Sequence, residues 1–527
     1  MRQFCTAGPV QPDVYYALPP LERLGREEIL ALVEARKYFV LHAPRQTGKT
    51  SALLALVGEL NATGRYRAMY ANVEGAQSAR DDVAAGMQTI LSVICRRAKS
   101  HLGDPFPDQV RAGILSSAGP HDALQALLAA WCEHSPLPIC LMLDEIDALV
   151  GDTLISVLRQ LRAGYQDRPT RFPQSIILCG VRDVRDYRIH GAKEIITGGS
   201  AFNIKAESLR LEDFSRTDVR RLYEQHTGET GQRFEEAVYP LVWELTQGQP
   251  LLVNALAHQV CFKLQKDRSK PITPELIQEA KENLILERVT HLDQLADKLK
   301  EPRVQRVIEP IVQGDDEAGL ELMESDDAQY LIDLGLIRVG PAGLEISNGI
   351  YREVIPRELN YRMQVAFMTR EQTAWYVEPD GRLNMIKLFE AFQQFYRENS
   401  ESWIERYEYK EAAPQLILQA FLQRIVNSGG RIDREYALGR RRADLLVMWN
   451  HPGGVQREVI EIKLVRGTLE KTVAEGLRQI AGYMDSTGAK DAHLVVFNRT
   501  PNVSWDERIY RRDERLPDGR LVVIWGM

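Results

Sequence analysis

Two stretches of this 527-residue chain carry side chains that could do chemistry together. The first is Ala43-Pro44-Arg45-Gln46-Thr47-Gly48-Lys49-Thr50, followed by Ser51. Gly48 lets backbone N–H groups turn inward around phosphates at a helix N-terminus. Lys49 has the reach for β- and γ-phosphates, and the Thr50 hydroxyl can join a Mg2+ shell. The second is Glu461-Ile462-Lys463, with 16 residues between Asp444 and Glu461. Mg2+ takes oxygen ligands in an octahedral shell, so Asp444, Glu461 and the Ile462 carbonyl can converge on one ion. Such an ion activates water for phosphodiester hydrolysis, and Lys463 can stabilise the charge that develops on the phosphate.

The elements around the first stretch suit it. Tyr38 to Leu41 is a short apolar run of the kind found in buried parallel strands, and Ser51-Ala52-Leu53-Leu54 continues as a helix. Strand, loop and helix in this order form a Walker A motif, with Ala43 in the place of its first glycine. A second apolar run, Ile139 to Leu143, ends in Asp144-Glu145 and reads as a Walker B strand. There Asp144 would hold the Mg2+ and its waters, and Glu145 would polarise the attacking water. "YRAMYANVEGA" and "QSIILCGVRD" are two further strands. Strands alternating with helices predict a parallel sheet, with nucleotide at the carboxyl ends of the strands.

This front half resembles AAA/STAND-like ATPases. By that resemblance, Arg182, at the end of the fourth strand, stands where such proteins sense the γ-phosphate; its other reading is a surface arginine. Gly248-Gln249-Pro250 and the apolar helix after it resemble the Gly-x-Pro element of their helical lid. Pro250 would then touch adenine, although proline also simply suits a first helical turn. The same likeness sets Pro20 to Arg23 beside the base. Residues from about 271 to 357 resemble a winged helix: two helical patterns, then "GPAGLEISNGIYREVI" as a short hairpin. Asp326, Asp327 and Asp333 make its second helix a poor match for DNA, which favours a packing role.

Strand periodicity orders the second stretch. In "EVIEIKLV", Ile460, Ile462 and Leu464 point one way, and Glu461 and Lys463 point the other. A solvated surface pair would look the same. The neighbours give it a context: a helix over 413–430, a strand over 443–449 bearing Asp444, a turn at 450–454, this strand, a helix with Gln479 and Tyr483 four apart, and "AHLVVFNR" as a final strand. This order, with Asp444, Glu461-Ile462-Lys463 and Gln479/Tyr483, resembles the PD-(D/E)XK nuclease superfamily and its RecB-like members. The superfamily often adds an acidic residue on the first helix, for which Glu411 is the candidate. Arg440, Arg441 and Arg442 precede the Asp444 strand and read either as a phosphate contact or as a charged turn.

Composition limits the rest. The net charge of −7 gives no global attraction for nucleic acid, although residues 401–527 carry 20 Lys/Arg against 18 Asp/Glu. The six scattered cysteines show no metal spacing and read as reduced thiols of a cytoplasmic protein. No apolar run reaches the ~18 residues of a membrane span, and the N-terminus has no secretory h-region.

The expected fold is α/β multidomain: a P-loop ATPase core at 1–205, a helical lid at 206–270, a winged-helix-like domain at 271–360, a helical connector at 361–409, and a restriction-endonuclease-like α/β domain at 410–527. The expected cofactors are ATP and Mg2+, with Mn2+ as a substitute at the second site. The expected partners are nucleic acid, DNA first, and further copies of the chain, without a membrane. The whole resembles prokaryotic proteins that join an AAA/STAND-like ATPase to a PD-(D/E)XK nuclease, and implies an ATP-regulated, Mg2+-dependent nuclease with a role in phage defence. The alternative is an ATP-driven oligomerising switch whose nuclease-like domain only binds nucleic acid or a partner. A third reading is a DNA-binding scaffold.

Overall fold

The computed structural model describes residues 1–182, 188–190, 195–197, 205–287, 295, 297–313, 322–340, 343–356, 376–406, 417–419, 421–422, 430–438, 441–465, 467–498, 500 and 503–527. The chain divides into two compact units. One is Met1–Glu287 together with Gln329–Arg338; the other is Arg288–Ala328 together with Val339–Met527.

The first unit is built on a parallel sheet of order β2-β3-β4-β1-β7, with β1 (Tyr38–His42), β2 (Arg67–Asn72), β3 (Ile139–Asp144), β4 (Ser175–Gly180) and β7 (Lys205–Arg210). Between β4 and β7 a small ribbon pairs β5 (Arg188–His190) with β6 (Ile195–Thr197). Every residue of β3 and β4 is buried, as expected of strands covered on both faces. Alternation along β1 divides the unit into two cores. Tyr38 and Val40 face α3 (Val83–Leu102), α5 (Ala123–His134) and α6 (Gly151–Ala163); between α3 and α5 runs α4 (Phe106–Ala118). Phe39 and Leu41 face α1 (Arg26–Glu34) and α2 (Lys49–Ala62). The sheet is followed by α7 (Arg216–Thr230), α8 (Val238–Thr246), α9 (Pro250–His258) and α10 (Pro274–Leu286). A capping box at Ser215 and Asp218 starts α7, and Gly231 in the left-handed region ends it.

The segment between the large sheets holds α11 (Pro302–Gln313), α12 (Asp326–Asp333) and a ribbon of β8 (Ile337–Gly340) with β9 (Gly343–Ile346). The expected hairpin is shorter than its sequence stretch, because residues 349–356 are helical. Ile350, Tyr351, Val354 and Ile355 are buried at helical spacing, and the Asn348 side chain accepts from the Tyr351 N–H at 2.9 Å.

The second unit contains a six-stranded mixed sheet of order β10-β11-β12-β13-β15-β14. The strands are β10 (Gly430–Leu438), β11 (Arg441–His451), β12 (Gly454–Leu464), β13 (Asp491–Phe497), β14 (Tyr510–Arg515) and β15 (Leu521–Gly526). "AHLVVFNR" is therefore not the final strand. Two strands follow it, and β15 pairs with β13 in parallel. Helix α13 (Met385–Arg406) lays Phe389 on Trp525, ring centroids 5.1 Å apart. Helix α14 (Leu469–Thr487) covers another set of buried residues, including Leu446, Val459, Leu494 and Val496. It approaches closely enough that a Cβ on Gly476 would lie 2.5 Å from Leu494. Among the described residues, no helix is long and apolar enough to cross a membrane.

Candidate functional site

The loop from β1 to α2 is held in shape by its own side chains. Gln46 and Gly48 both have left-handed backbone, with φ of 61° and 95°. This alternation of handedness curls successive N–H groups toward one side. The Thr47 hydroxyl is fully buried and donates to the Pro44 carbonyl at 2.8 Å. The Lys49 ammonium, also buried, donates to the Ala43 and Pro44 carbonyls at 2.9 Å each. Arg45 belongs to the same loop. Ser51, in the first turn of α2, accepts from the Val10 N–H at 3.0 Å, which ties the N-terminal segment to the loop's exit.

Strand β4 lies between β1 and β3, so the Walker A and Walker B residues end on strands that flank a common neighbour. The Thr50 hydroxyl donates to Asp144 Oδ2 at 2.8 Å. The Tyr70 hydroxyl donates to the same oxygen at 2.9 Å, and the Glu145 N–H donates to Asp144 Oδ1 at 2.9 Å. Asp144 is thus a fully buried carboxylate held by three donors. A hydroxyl and a carboxylate in contact form an oxygen-donor pair that fits Mg2+. The Tyr70 phenol is pushed well above its usual range, first by burial and then by the Asp144 charge. Nothing in the sequence marked Tyr70. Its role follows from the β2–β3 register, which sets Asn72 opposite Asp144 and Tyr70 two residues earlier.

Glu145 has left-handed backbone, φ 57° and ψ 41°. Its carboxyl is shifted upward by burial first, then by the nearby Asp147 and Asp144 charges, with Lys49 opposing. Asp147 accepts from the Val181 N–H at 3.2 Å and so fixes the turn after β3 to the end of β4. The next residue, Arg182, places its guanidinium over the Tyr330 ring, 5.3 Å from the centroid. Tyr330 belongs to the segment Gln329–Arg338, which also meets the phosphate loop. Gly335, at φ 73°, leaves so little room that a Cβ would lie 2.8 Å from Pro44.

The Gly248–Pro250 turn reaches the same loop through Phe214, which sequence reasoning did not mark, and Arg23, which it set beside the base. Gly248, at φ 80°, accepts at its carbonyl from the Phe214 N–H at 2.9 Å. The Gln249 side chain caps α9 by accepting from the Leu252 N–H at 2.8 Å, and Pro250 is buried at the first helical position. The Phe214 ring lies 4.9 Å from the Arg23 guanidinium, which donates to the Thr47 carbonyl at 2.6 Å. Burial lowers Arg23 to about 10.

In the second unit, β11 and β12 run antiparallel, with Leu446 opposite Val459 and Leu445 opposite Ile460. Asp444 precedes Leu445 on β11, and Glu461 follows Ile460 on β12. Val459 is in the cluster beneath α14, and period-two alternation gives Glu461 the same face. Lys463 Nζ lies 2.9 Å from Glu461 Oε1, with the Glu461 side chain buried and the Lys463 side chain about one-fifth exposed. Ile462 pairs with Val495 of β13. On α14, Tyr483 is buried in the cluster, and among the described residues Gln479 Oε1 is a buried oxygen without a hydrogen-bond partner. Oxygen donors beside an ammonium suit a hard divalent ion and a phosphate. The Asp444, Arg441 and Arg442 side chains, and the whole of Arg440 and Glu411, lie outside the described residues. Among the described residues, no group of three or more His, Cys, Asp or Glu is arranged to hold a metal.

Residues 7–356 match the family described as AAA-like domain. No curated protein matches the sequence. Among solved structures, the chain is similar to a Walker-type ATPase of Pyrococcus abyssi at 14% identity, over 67% of this chain and 99% of that one, with TM-score 0.45. It is similar to the RuvB Holliday junction branch migration motor of Thermotoga maritima at 13% identity, over 63% and 94%, with TM-score 0.34. It is also similar to Cdc6p of Pyrobaculum aerophilum at 16% identity, over 66% and 95%, with TM-score 0.37.

Proposed function

Since the chain belongs to the AAA-like domain family, we propose that it hydrolyses ATP in its first unit and uses that cycle to govern a Mg2+-dependent nuclease in its second. The observation that supports the nuclease half is the β12 pair, Lys463 Nζ 2.9 Å from Glu461 Oε1, on the strand that pairs with β11, where Asp444 lies. Two carboxylate positions on adjacent strands, with an ammonium beside one of them, are what phosphodiester hydrolysis requires.

In the first unit, Thr50 and Asp144 would hold Mg2+, which when bound neutralises phosphate charge. Lys49 would exchange its two carbonyl partners for β- and γ-phosphate oxygens. Glu145 accepts the proton of the attacking water, a task favoured by its raised affinity for protons. Arg182 and Pro250 read the γ-phosphate and the base. In the second unit, Asp444, Glu461 and the Ile462 carbonyl would hold Mg2+ or Mn2+. Lys463 stabilises charge on the scissile phosphate, while Gln479 and Tyr483 support it from α14. The substrate is nucleic acid, DNA first; the acting form is a homo-oligomer, and the setting is defence against phage.

Plasmid nicking with Mg2+ or Mn2+, with and without ATP, tests this reading on wild type, Asp444→Ala and Lys49→Ala. Loss of cleavage in both variants supports ATP control, and loss in Asp444→Ala alone supports a constitutive nuclease. Absence of cleavage in every protein, with ATP hydrolysis retained by wild type, replaces the nuclease with an ATP-driven switch.

A further inference from the structure

Helix α3 has one face in the core, through Met87, Ile90, Leu91, Ile94, Cys95 and Ala98. Its other face shows Val93, Arg96, Arg97 and Ser100, spaced three, four and seven apart and therefore aligned. These four residues, with Lys99 and with Asn72 at the end of β2, line an open pocket of about 630 Å³. None of the six belongs to the phosphate loop or to the Walker B strand.

The charge in this pocket is one-sided. Its lining holds three cations and no carboxylate. Among the described residues, Arg96, Arg97 and Lys99 make no ion pair, while nearby arginines do: Arg111 with Asp108 at 3.5 Å, and Arg67 with Asp104 at 2.9 Å. Arg97 is also held in place. It donates to His101 Nε2 at 3.0 Å, since a guanidinium has no acceptor, and its Cζ lies 6.0 Å from the Tyr70 ring centroid. Uncompensated cations gathered at one cavity repel one another until an anion enters. The pocket is larger than a single phosphate needs, and Asn72 and Ser100 add neutral donors of the kind that contact backbone oxygens.

The geometry points to this pocket as a second nucleic-acid site, one that takes the phosphodiester backbone of a strand on the ATPase unit itself. It rests on the reading that nucleic acid is the partner, but not on the metal site of the second unit. The position has a further significance: Asn72 is opposite Asp144 in the sheet, and Tyr70, beside Arg97, holds that same carboxylate. A strand seated here lies one side chain away from the residues that would manage Mg2+-ATP.

The test is fluorescence anisotropy of a labelled oligonucleotide with the full chain in EDTA, so that cleavage chemistry is silent and its failure cannot be mistaken for failure of this site. Arg96→Ala/Arg97→Ala should weaken binding at least about tenfold and lower the slope of log K against log salt by roughly 2. Arg96→Glu/Lys99→Glu, on exposed side chains, should do at least as much and guards against misfolding of the first pair, with thermal melting as the control. Pyrophosphate should compete only at a large excess over oligonucleotide phosphate, and a glutamate-rich peptide should not bind. Affinities within twofold of wild type in both folded pairs would overturn the proposal. So would displacement by pyrophosphate at equal phosphate concentration, which would assign the pocket to a small anion. Equal, arginine-dependent binding of the acidic peptide would assign it to a protein partner.

Discussion

Thr50 Oγ1 donates to Asp144 Oδ2 across 2.8 Å, joining the first turn of α2 to the last residue of β3. These are the two oxygen donors proposed to hold the metal of the ATPase unit, and they are already in contact. Thr50→Val removes the hydroxyl while Tyr70 and the Glu145 N–H still hold the carboxylate. ATP hydrolysis should fall by about 100-fold, the usual loss when one preorganised charge-stabilising group is removed. The melting temperature should barely change. Phosphate release under saturating Mg2+-ATP, alongside a thermal melt, checks both.

Glu145 predicts a pH dependence. Its carboxyl binds protons more tightly in the folded chain than in the unfolded one, because of burial first and then the Asp147 and Asp144 charges. A base must be deprotonated, so the acid limb of the kcat profile should lie above the ordinary carboxylate range. Stability runs the other way: the raised affinity favours the fold at low pH, and that contribution is lost as pH rises through the folded value. Glu145→Gln should therefore abolish hydrolysis, keep ATP binding, and raise the melting temperature near pH 7 but not near pH 4. A profile whose acid limb sits at an ordinary carboxylate value would contradict the assignment.

The turn before α9 should tolerate no side chain at Gly248. Alanine there would combine left-handed backbone with a Cβ 2.0 Å from the Phe214 carbonyl oxygen. We expect a loss of about 3 kcal/mol in chemical denaturation, from strain and overpacking together. We also expect a higher KM for ATP, since Phe214 lies under the arginine that grips Thr47.

At the second site, Lys463→Met should reduce nicking by about 100-fold while leaving ATP hydrolysis unchanged. Glu461→Gln should do the same and, unlike Lys463→Met, should leave no buried carboxylate without its ammonium. Urea denaturation should therefore show Lys463→Met as the less stable of the two. Equal nicking by wild type and both variants would remove these residues from catalysis.

The phosphate site was legible because local signals agreed there. The Tyr38–Leu41 run, the glycine before Lys49 and the apolar start of α2 each point to strand, loop and helix in turn. What escaped was carried by the third dimension. Tyr70 meets Asp144 only through register between strands distant in sequence, and Arg23 meets Thr47 only through the packing of a 3-10 turn on the loop. In the second unit, β12 was readable from alternation and the Glu-Ile-Lys triplet. The strands β10 and β14 were not, because "RIDRE" and "YRRDER" carry the charges that edge strands bear and so read as loops. For β15 a signal existed: Pro517-Asp518-Gly519 lies between two strand-like runs, as a hairpin requires.

The ten residues Gln329–Arg338 are counted with the ATPase unit, although the chain on both sides of them belongs to the other. They supply the aromatic ring under Arg182 and the glycine against Pro44, and Arg338 donates to Gln247 beside Gly248. No single scission can therefore separate the two halves cleanly. A fragment ending at residue 287 would leave Arg182 without the Tyr330 ring and Pro44 without its Gly335 neighbour, and its nucleotide chemistry should not be that of the intact protein. A peptide of this sequence, added back in trans, would be the natural complement.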